Sequence, residues 1–252
     1  MRTLITASIV ASIASAAGAL PPATSIVGYS FLRDGATRNF VAIEFADGVL
    51  PQDVQAFAEG FGGCLAIPQD SDDNFVAALS LLLIDSADPS ANAAWVGIVH
   101  TPNAANELHW QTVEGGEAPF LGFGKGQPSN PPSMALGAVL HAHTQEWSDA
   151  PIGLDESSVR RAVMSFPADL EDCDYDQIPD AVVLALGLGT DIDGDGVLDW
   201  CAPPGDLNGD FVVNAADLSL LLAAWGTSGA DLDGDGMTDA ADLSLLLASW
   251  MW

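Results

Sequence analysis

The apolar positions of this chain change period several times. Over LPQDVQAFAEGFGG, Val54, Phe57, Ala58 and Phe61 recur at helical spacing behind Pro51 and stop at Gly62-Gly63. That pattern predicts a short amphipathic helix started by proline and ended by glycine. A second helix is predicted over SDDNFVAALSLLLI, with Ser71 as its cap, two aspartates in its first turn, and Phe75, Leu79, Leu82 and Leu83 as its apolar face. The runs AAWVGIVH, ELHWQTV and RRAVMSF are short, β-prone and separated by Pro, Gly and Asn. This order predicts an α+β domain over about residues 28–167. Close to the end of the chain, Leu218, Leu221, Leu222 and Trp225, then Leu243, Leu246, Leu247 and Trp250, follow the i, i+3, i+4, i+7 rule. Each helix is too short to be stable alone, so the expectation is two helices packed antiparallel with both stripes buried and Gly226 ending the first.

Charge changes the picture at the C-terminal end. The chain of 252 residues carries 35 acidic and six basic side chains, a formal charge of −29, with 49% hydrophobic content. It can bury a sizeable core, and general disorder and nucleic-acid binding are both poor fits. No Lys or Arg follows Arg161, so later carboxylates need cations, hydrogen bonds or water. The start, MRTLITASIVASIASAAGAL, with Arg2, a small-residue apolar run and Ala17-Gly18-Ala19, reads as a signal peptide over residues 1–19, with a membrane anchor as the alternative. No later segment is apolar enough to span a bilayer in the mature chain. A secreted or cell-surface location provides calcium and an oxidising setting. Cys173 and Cys201 are the natural disulfide pair, leaving Cys64 as a small buried residue.

The acidic phrase DLNGDFVVNAAD begins at Asp206, and DLDGDGMTDAAD begins at Asp231, a repeat of 25 residues (231 − 206). A calcium loop needs oxygen ligands at positions 1, 3, 5, 7, 9 and 12. Asp206, Asn208, Asp210, the Val212 carbonyl, Asn214 and Asp217 fall there in the first phrase. Asp231, Asp233, Asp235, the Met237 carbonyl, Asp239 and Asp242 fall there in the second. Phe211 stands where the second loop has Gly236, so the first is expected to bind its ion more weakly. A loop followed by a helix, written twice over residues 205–252 without the incoming helix of an EF-hand, resembles a type I dockerin domain. The resemblance implies a small all-α domain that docks on a cohesin-like module or cell-surface protein. Loop positions 10 and 11, which help select the partner, are Ala215-Ala216 and Ala240-Ala241 here. The alternative is that the loops only staple a C-terminal mini-domain.

Residues 168–204 hold two shorter relatives, DCDYDQIPD and DIDGDGVLD. They resemble thrombospondin type 3 calcium repeats. Asp191, Asp193, Asp195 and Asp199 are the candidate ligands of the second, and a calcium-stiffened spacer or an unstructured acidic linker are the two readings.

Within the larger domain, Gly62-Gly63-Cys64-Leu65-Ala66-Ile67, Trp95-Val96-Gly97-Ile98, Trp110 to Gly115, Gly126-Gln127-Pro128-Ser129-Asn130 and Trp147-Ser148-Asp149 occur in that order. The order resembles a C-type lectin-like domain. The resemblance implies an α+β fold in which calcium and a sugar share ligands at Gln127, Ser129 and Asp149, with Pro128 a candidate cis bond. Ser129 and Ser148 are departures from the family's amide or acid ligands, Asn130 is a candidate substitute, and the family's disulfide pair is missing. Trp95, Trp110 and Trp147 read as core. His141 and His143, alternating along one strand, form with His109 a candidate transition-metal set that lacks an evident third ligand. No Ser-His-Asp order or phosphate loop is present. The chain therefore reads as a secreted, non-enzymatic, calcium-binding modular protein with a carbohydrate as candidate ligand. The alternatives are a component of extracellular polysaccharide degradation and a structural cell-surface protein.

Overall fold

A computed structural model describes residues 20–250 apart from 34–35, 85–91, 103–106, 131–132, 153–158 and 192–195. The expected signal peptide lies outside the described residues. The chain forms two compact units that meet between Pro179 and Asp180, so the stretch read as a spacer is divided between them.

The larger unit is α+β. Strands β1 (Ala23–Arg33) and β2 (Ala36–Phe45) make a long antiparallel hairpin; helix α1 (Pro51–Glu59), strand β3 (Cys64–Leu65) and helix α2 (Ser71–Leu82) follow. Strands β4 (Ala93–His100), β5 (Trp110–Thr112), β6 (Leu136–His141), β7 (Trp147–Pro151) and β8 (Arg161–Ser165) complete it. The sheet runs β1-β2-β8-β4-β6-β7, with β3 on β8 and β5 on β4. β8 pairs parallel to β4, and Trp95 lies opposite Ala162. The last strand is thus inserted between the first hairpin and the centre. There it buries Ala162, Val163 and Met164 completely. Glu44 of β2 sits opposite Arg161 and is almost fully buried, its carboxylate 2.6 Å from that guanidinium and 3.1 Å from Arg160.

Glycine is required where β3 crosses β4. The Gly97 N–H donates to the Ala66 carbonyl at 2.8 Å, and a Cβ at Gly97 would meet the Leu65 carbonyl oxygen at 2.5 Å. Backbone cannot move aside as a side-chain tip can. Gly97→Ala is expected to destabilise this unit by about 1–3 kcal/mol, read as a lower urea midpoint.

The second helix differs from its expected phase. Its cap is Asp70, which accepts the N–H groups of Asp72 (2.9 Å) and Asp73 (3.1 Å), and Ser71 is already helical. Phe75, Leu82 and Leu83 are about half exposed, while Asn74, Ala77, Ala78 and Leu81 face the sheet. The buried face is a strip of small residues around one asparagine. Asn74 accepts the Trp147 indole N–H at 2.6 Å and donates to the Gln145 carbonyl at 2.7 Å. In α1, Val54, Gln55 and Ala58 are buried, and the Phe57 and Phe61 rings meet tilted at 52° with 5.2 Å between centroids. Trp95, Trp110 and Trp147 are core residues. Cys64 is free, and burial, then Glu114 and Glu59, push its thiol up to about 11; Cys173 and Cys201 are disulfide-bonded.

The smaller unit holds helices α3 (Asp180–Ala185), α4 (Ala215–Ala223) and α5 (Ala240–Ala248). Its core at the twin helices is Val213, Leu221, Ala230, Leu232 and Leu246. The expected burial of both leucine stripes is corrected here. Leu222, Trp225 and Leu247 are about half exposed, while Leu221 and Leu246 alone on these helices are wholly buried leucines. Leu218, Leu243 and Trp250 pack against the core only in part. A helix reading AADLSLLLA is apolar around most of its circumference, so tertiary contacts and not periodicity select the inner residue.

Candidate functional site

Two acidic loops precede α4 and α5, and they wind identically. In the first, Asp206 Oδ1 accepts the N–H of Gly209 (2.9 Å) and Asp210 (3.2 Å), and its Oδ2 accepts that of Phe211 (2.6 Å). In the second, Asp231 Oδ1 accepts Gly234 (2.9 Å) and Asp235 (3.1 Å), and its Oδ2 accepts Gly236 (2.7 Å). Asn208 and Asp233 at position 3 accept Asp210 and Asp235; these in turn accept Val212 and Met237 at position 7. The winding needs left-handed backbone at positions 4 and 6. Gly209, Gly234 and Gly236 supply it, and at position 6 of the first loop Phe211 adopts φ 65°. That conformation costs a non-glycine residue about 1–2 kcal/mol. Phe211→Gly is accordingly expected to raise the stability of the first loop by about 1 kcal/mol and its cation affinity by several-fold, seen by calorimetric titration.

Positions 9 and 12 close each loop and begin each helix. Asn214 and Asp239 cap α4 and α5, and Asp217 and Asp242 at N3 accept the cap residues' own N–H groups at 2.9 and 2.6 Å, completing capping boxes. Asp217 Oδ1 also accepts Leu207 and Asn208, and Asp242 Oδ1 accepts Leu232 and Asp233. Both closing aspartates are fully buried. Carboxylate oxygens of Asp206, Asp210 and Asp217 lie within 4.8 Å of one another, as do those of Asp231, Asp233 and Asp242.

From Asp180 onward there is no Lys, Arg or His, and every charged side chain is an aspartate. For Asp233, the Asp235 N–H pulls the carboxyl down, but desolvation and the charges of Asp235, Asp242 and Asp231 outweigh it and leave it raised. For Asp242, burial pushes up, but the N–H groups of Asp239, Leu232 and Asp233 prevail and hold it below the ordinary carboxylate range. Converging hard oxygens without a basic side chain in the same stretch are a donor set that fits a hard divalent cation of the calcium type.

The same winding appears once more, in the larger unit. Asp172 accepts the N–H of Asp176 (3.1 Å) and Gln177 (3.0 Å), Asp174 accepts Asp176 (3.3 Å), and Asp176 accepts Ile178 (2.8 Å). Tyr175 and Gln177, at positions 4 and 6, take φ 60° and 74°. Aligning DCDYDQIPD with the twin loops position by position would have exposed these two strained residues. In the other spacer phrase, Asp191 accepts the Gly196 N–H at 3.0 Å. Asp193 and Asp195 lie outside the described residues. Among the described residues no trio of ligand atoms assembles around Asp191 or Asp199.

In the larger unit the segment 120–130 lies along β7. The Trp147 N–H donates to the Gly122 carbonyl (2.8 Å), Gly124 N–H donates to the Trp147 carbonyl (3.0 Å), and Phe120 and Phe123 meet the indole edge-on at 5.4 and 5.7 Å. The Gln127–Pro128 bond is cis. Asp149, nearly buried, accepts Ser129 N–H at 2.6 Å on Oδ1 and Asn130 N–H at 2.9 Å on Oδ2; its carbonyl accepts Asn130 Nδ2 at 3.3 Å. The buried Gln127 Oε1 has no hydrogen-bond partner among the described residues. The structure thus brings Ser129 and the candidate substitute Asn130 together on Asp149.

His141 and Ser148 pair, Nε2 to Oγ at 2.8 Å. β6 ends at His141, however, so His143 falls in the turn and the expected histidine strand face does not form. Burial, opposed by Glu146, holds the His141 imidazole below its ordinary value. The unfolded chain therefore takes up this proton first, and stability declines as pH falls from about 6.5 toward the lowered folded value. Thermal midpoints across that window are expected to fall with pH, and less steeply in His141→Gln.

No family model and no curated protein matches this chain. Solved structures resembling it include TC14, a C-type lectin from the tunicate Polyandrocarpa misakiensis (16% identity, 52% of this chain and 99% of that one, TM-score 0.38). The carbohydrate-recognition domain of mouse scavenger receptor C-type lectin also resembles it (13%, 57% and 97%, 0.41), as does herring type II antifreeze protein (12%, 56% and 97%, 0.40). These likenesses are distant, and each covers little more than half of the chain.

Proposed function

We propose that this chain is an exported binding protein in which a lectin-like recognition unit is joined to a small module that folds around two calcium ions. The observation that carries the reading is a three-carboxylate cluster in each of the two loops, in a stretch that from Asp180 onward has no basic side chain. Calcium held by Asp206, Asn208, Asp210, Asn214 and Asp217, and by Asp231, Asp233, Asp235, Asp239 and Asp242, with the Val212 and Met237 carbonyls, neutralises charge that otherwise opposes folding. Binding energy in the loops is then folding energy for α4 and α5. The module docks the protein on a cohesin-like or cell-surface partner through the exposed faces of those helices, where Leu222, Trp225 and Leu247 stand. The ordered motifs from Gly62 to Asp149 make a carbohydrate the ligand of choice for the larger unit.

Calorimetric titration of the full chain with calcium tests the first part, with two binding events expected and the second loop tighter by its larger carboxylate count. A chain that takes up no calcium overturns it. A glycan array on the calcium-loaded chain tests the second part, and an array without a single binding sugar overturns that.

A further inference from the structure

We infer that the recognition loop Gly126–Asn130 is closed by Asp149 in place of a cation, so that a ligand at this loop is held without calcium, by direct hydrogen bonds. The inference rests on the lectin-like reading of this loop and narrows it.

Charge count separates this loop from the twin loops. Each twin loop draws oxygens of three carboxylates to within 4.8 Å of one another, whereas among the described residues no such trio includes Asp149. The positions expected to share an ion with it bring no further charge: Gln127 offers a neutral amide, and Ser129 a hydroxyl, a weaker ligand for a hard dication than an amide or a carboxylate. Ser148, next along the strand, is engaged by His141 Nε2 at 2.8 Å. Alternation along β7 sends Ser148 and Asp149 to opposite faces of the sheet.

The mechanical task of a cation here would be to fasten the loop to β7, and Asp149 is placed to perform it. Both carboxylate oxygens of Asp149 receive backbone N–H groups, from Ser129 and from Asn130, and the Asp149 carbonyl receives the Asn130 amide. Hydrogen bonds to an ionised, largely desolvated carboxylate are the stronger kind. What the loop can offer a ligand is neutral and polar: the exposed Ser129 hydroxyl, and the Asn130 amide oxygen beside the Nδ2 that binds the Asp149 carbonyl. A neutral polyhydroxyl compound matches them better than an anion does.

Amide hydrogen exchange on the full chain, with calcium and with chelator, tests this. Exchange over 126–130 is expected to change by less than about twofold between the two conditions, while residues 206–217 and 231–242 lose protection by about tenfold or more on chelation. Asp149→Asn, which removes the charge and one acceptor, is expected to speed exchange over 126–130 by about tenfold in both conditions. Protection over 126–130 that rises about tenfold with calcium overturns the inference. So does glycan binding that chelator abolishes in a chain carrying Asp217→Asn and Asp242→Asn. Should no glycan bind at all, the carbohydrate reading falls, and the exchange result still decides whether the loop is closed by metal.

Discussion

Asp242→Ala is expected to unfold α5 and to lower the calcium stoichiometry of the chain from about two ions to about one. The side chain does three things at once. It is one of three carboxylates converging in the second loop, it completes the capping box with Asp239, and it accepts the N–H groups of Leu232 and Asp233 while fully buried. Loss of the cap alone costs about 1 kcal/mol, and each buried N–H left without an acceptor costs about 1–3 kcal/mol more. That sum rivals the whole stability of a small unit whose core at the twin helices rests on a few aliphatic side chains. Circular dichroism in saturating calcium should show the helical loss, and calorimetry the missing ion. Asp242→Asn separates the contributions, since it keeps one acceptor and loses the charge: helix content should largely survive while the second binding event weakens. Two undiminished binding events in Asp242→Ala would contradict the assignment of this carboxylate as a ligand. Asp217→Ala should repeat the pattern for α4 and the first loop.

The winding of the twin loops was legible from sequence because their geometry is coded by offsets within twelve residues, with caps and converging carboxylates in the same short phrase. Nothing distant is needed to place Asp206 beside Asp217. The leucine stripes were not legible in the same way. Leu221 and Leu222 look alike to any periodic rule, and only the positions of Val213, Ala230 and Leu232 decide that the first is buried and the second exposed. The phase of α2 was missed for a related reason. Its core face is made of alanines and Asn74, and the asparagine is explained by an indole 73 residues further on. The cap at Asp70 in place of Ser71 is a one-residue slip between two competent capping side chains. At the loop 126–130 the orientation of Asp149 toward the Ser129 and Asn130 backbone was not legible, because donors on a main chain carry no sequence signature.

Trp147→Ala is expected to be the most damaging single change in the larger unit, at about 3–5 kcal/mol. Trp147 is among the largest fully buried side chains, and it joins three parts of the unit that are far apart in sequence. Its ring is flanked by Phe120 and Phe123 from the strap before the loop 126–130, its indole N–H reaches Asn74 on α2, and its backbone takes both strap hydrogen bonds. Truncation leaves a cavity between helix and sheet, two phenylalanines without their partner, and the buried Asn74 Oδ1 unpaired. For a unit of this size the loss corresponds to a fall in thermal midpoint of roughly 10 °C. Trp147→Phe keeps most of the volume and loses the N–H, so a smaller loss of about 1–3 kcal/mol is expected, and Asn74→Ala in the Trp147→Phe background should add less than it does alone. Calcium binding by the twin loops should be unaltered in all three variants, because the loops belong to the other compact unit. A Trp147→Ala chain that melts with the unsubstituted protein would show that α2, the strap and β7 are held together by something other than this indole.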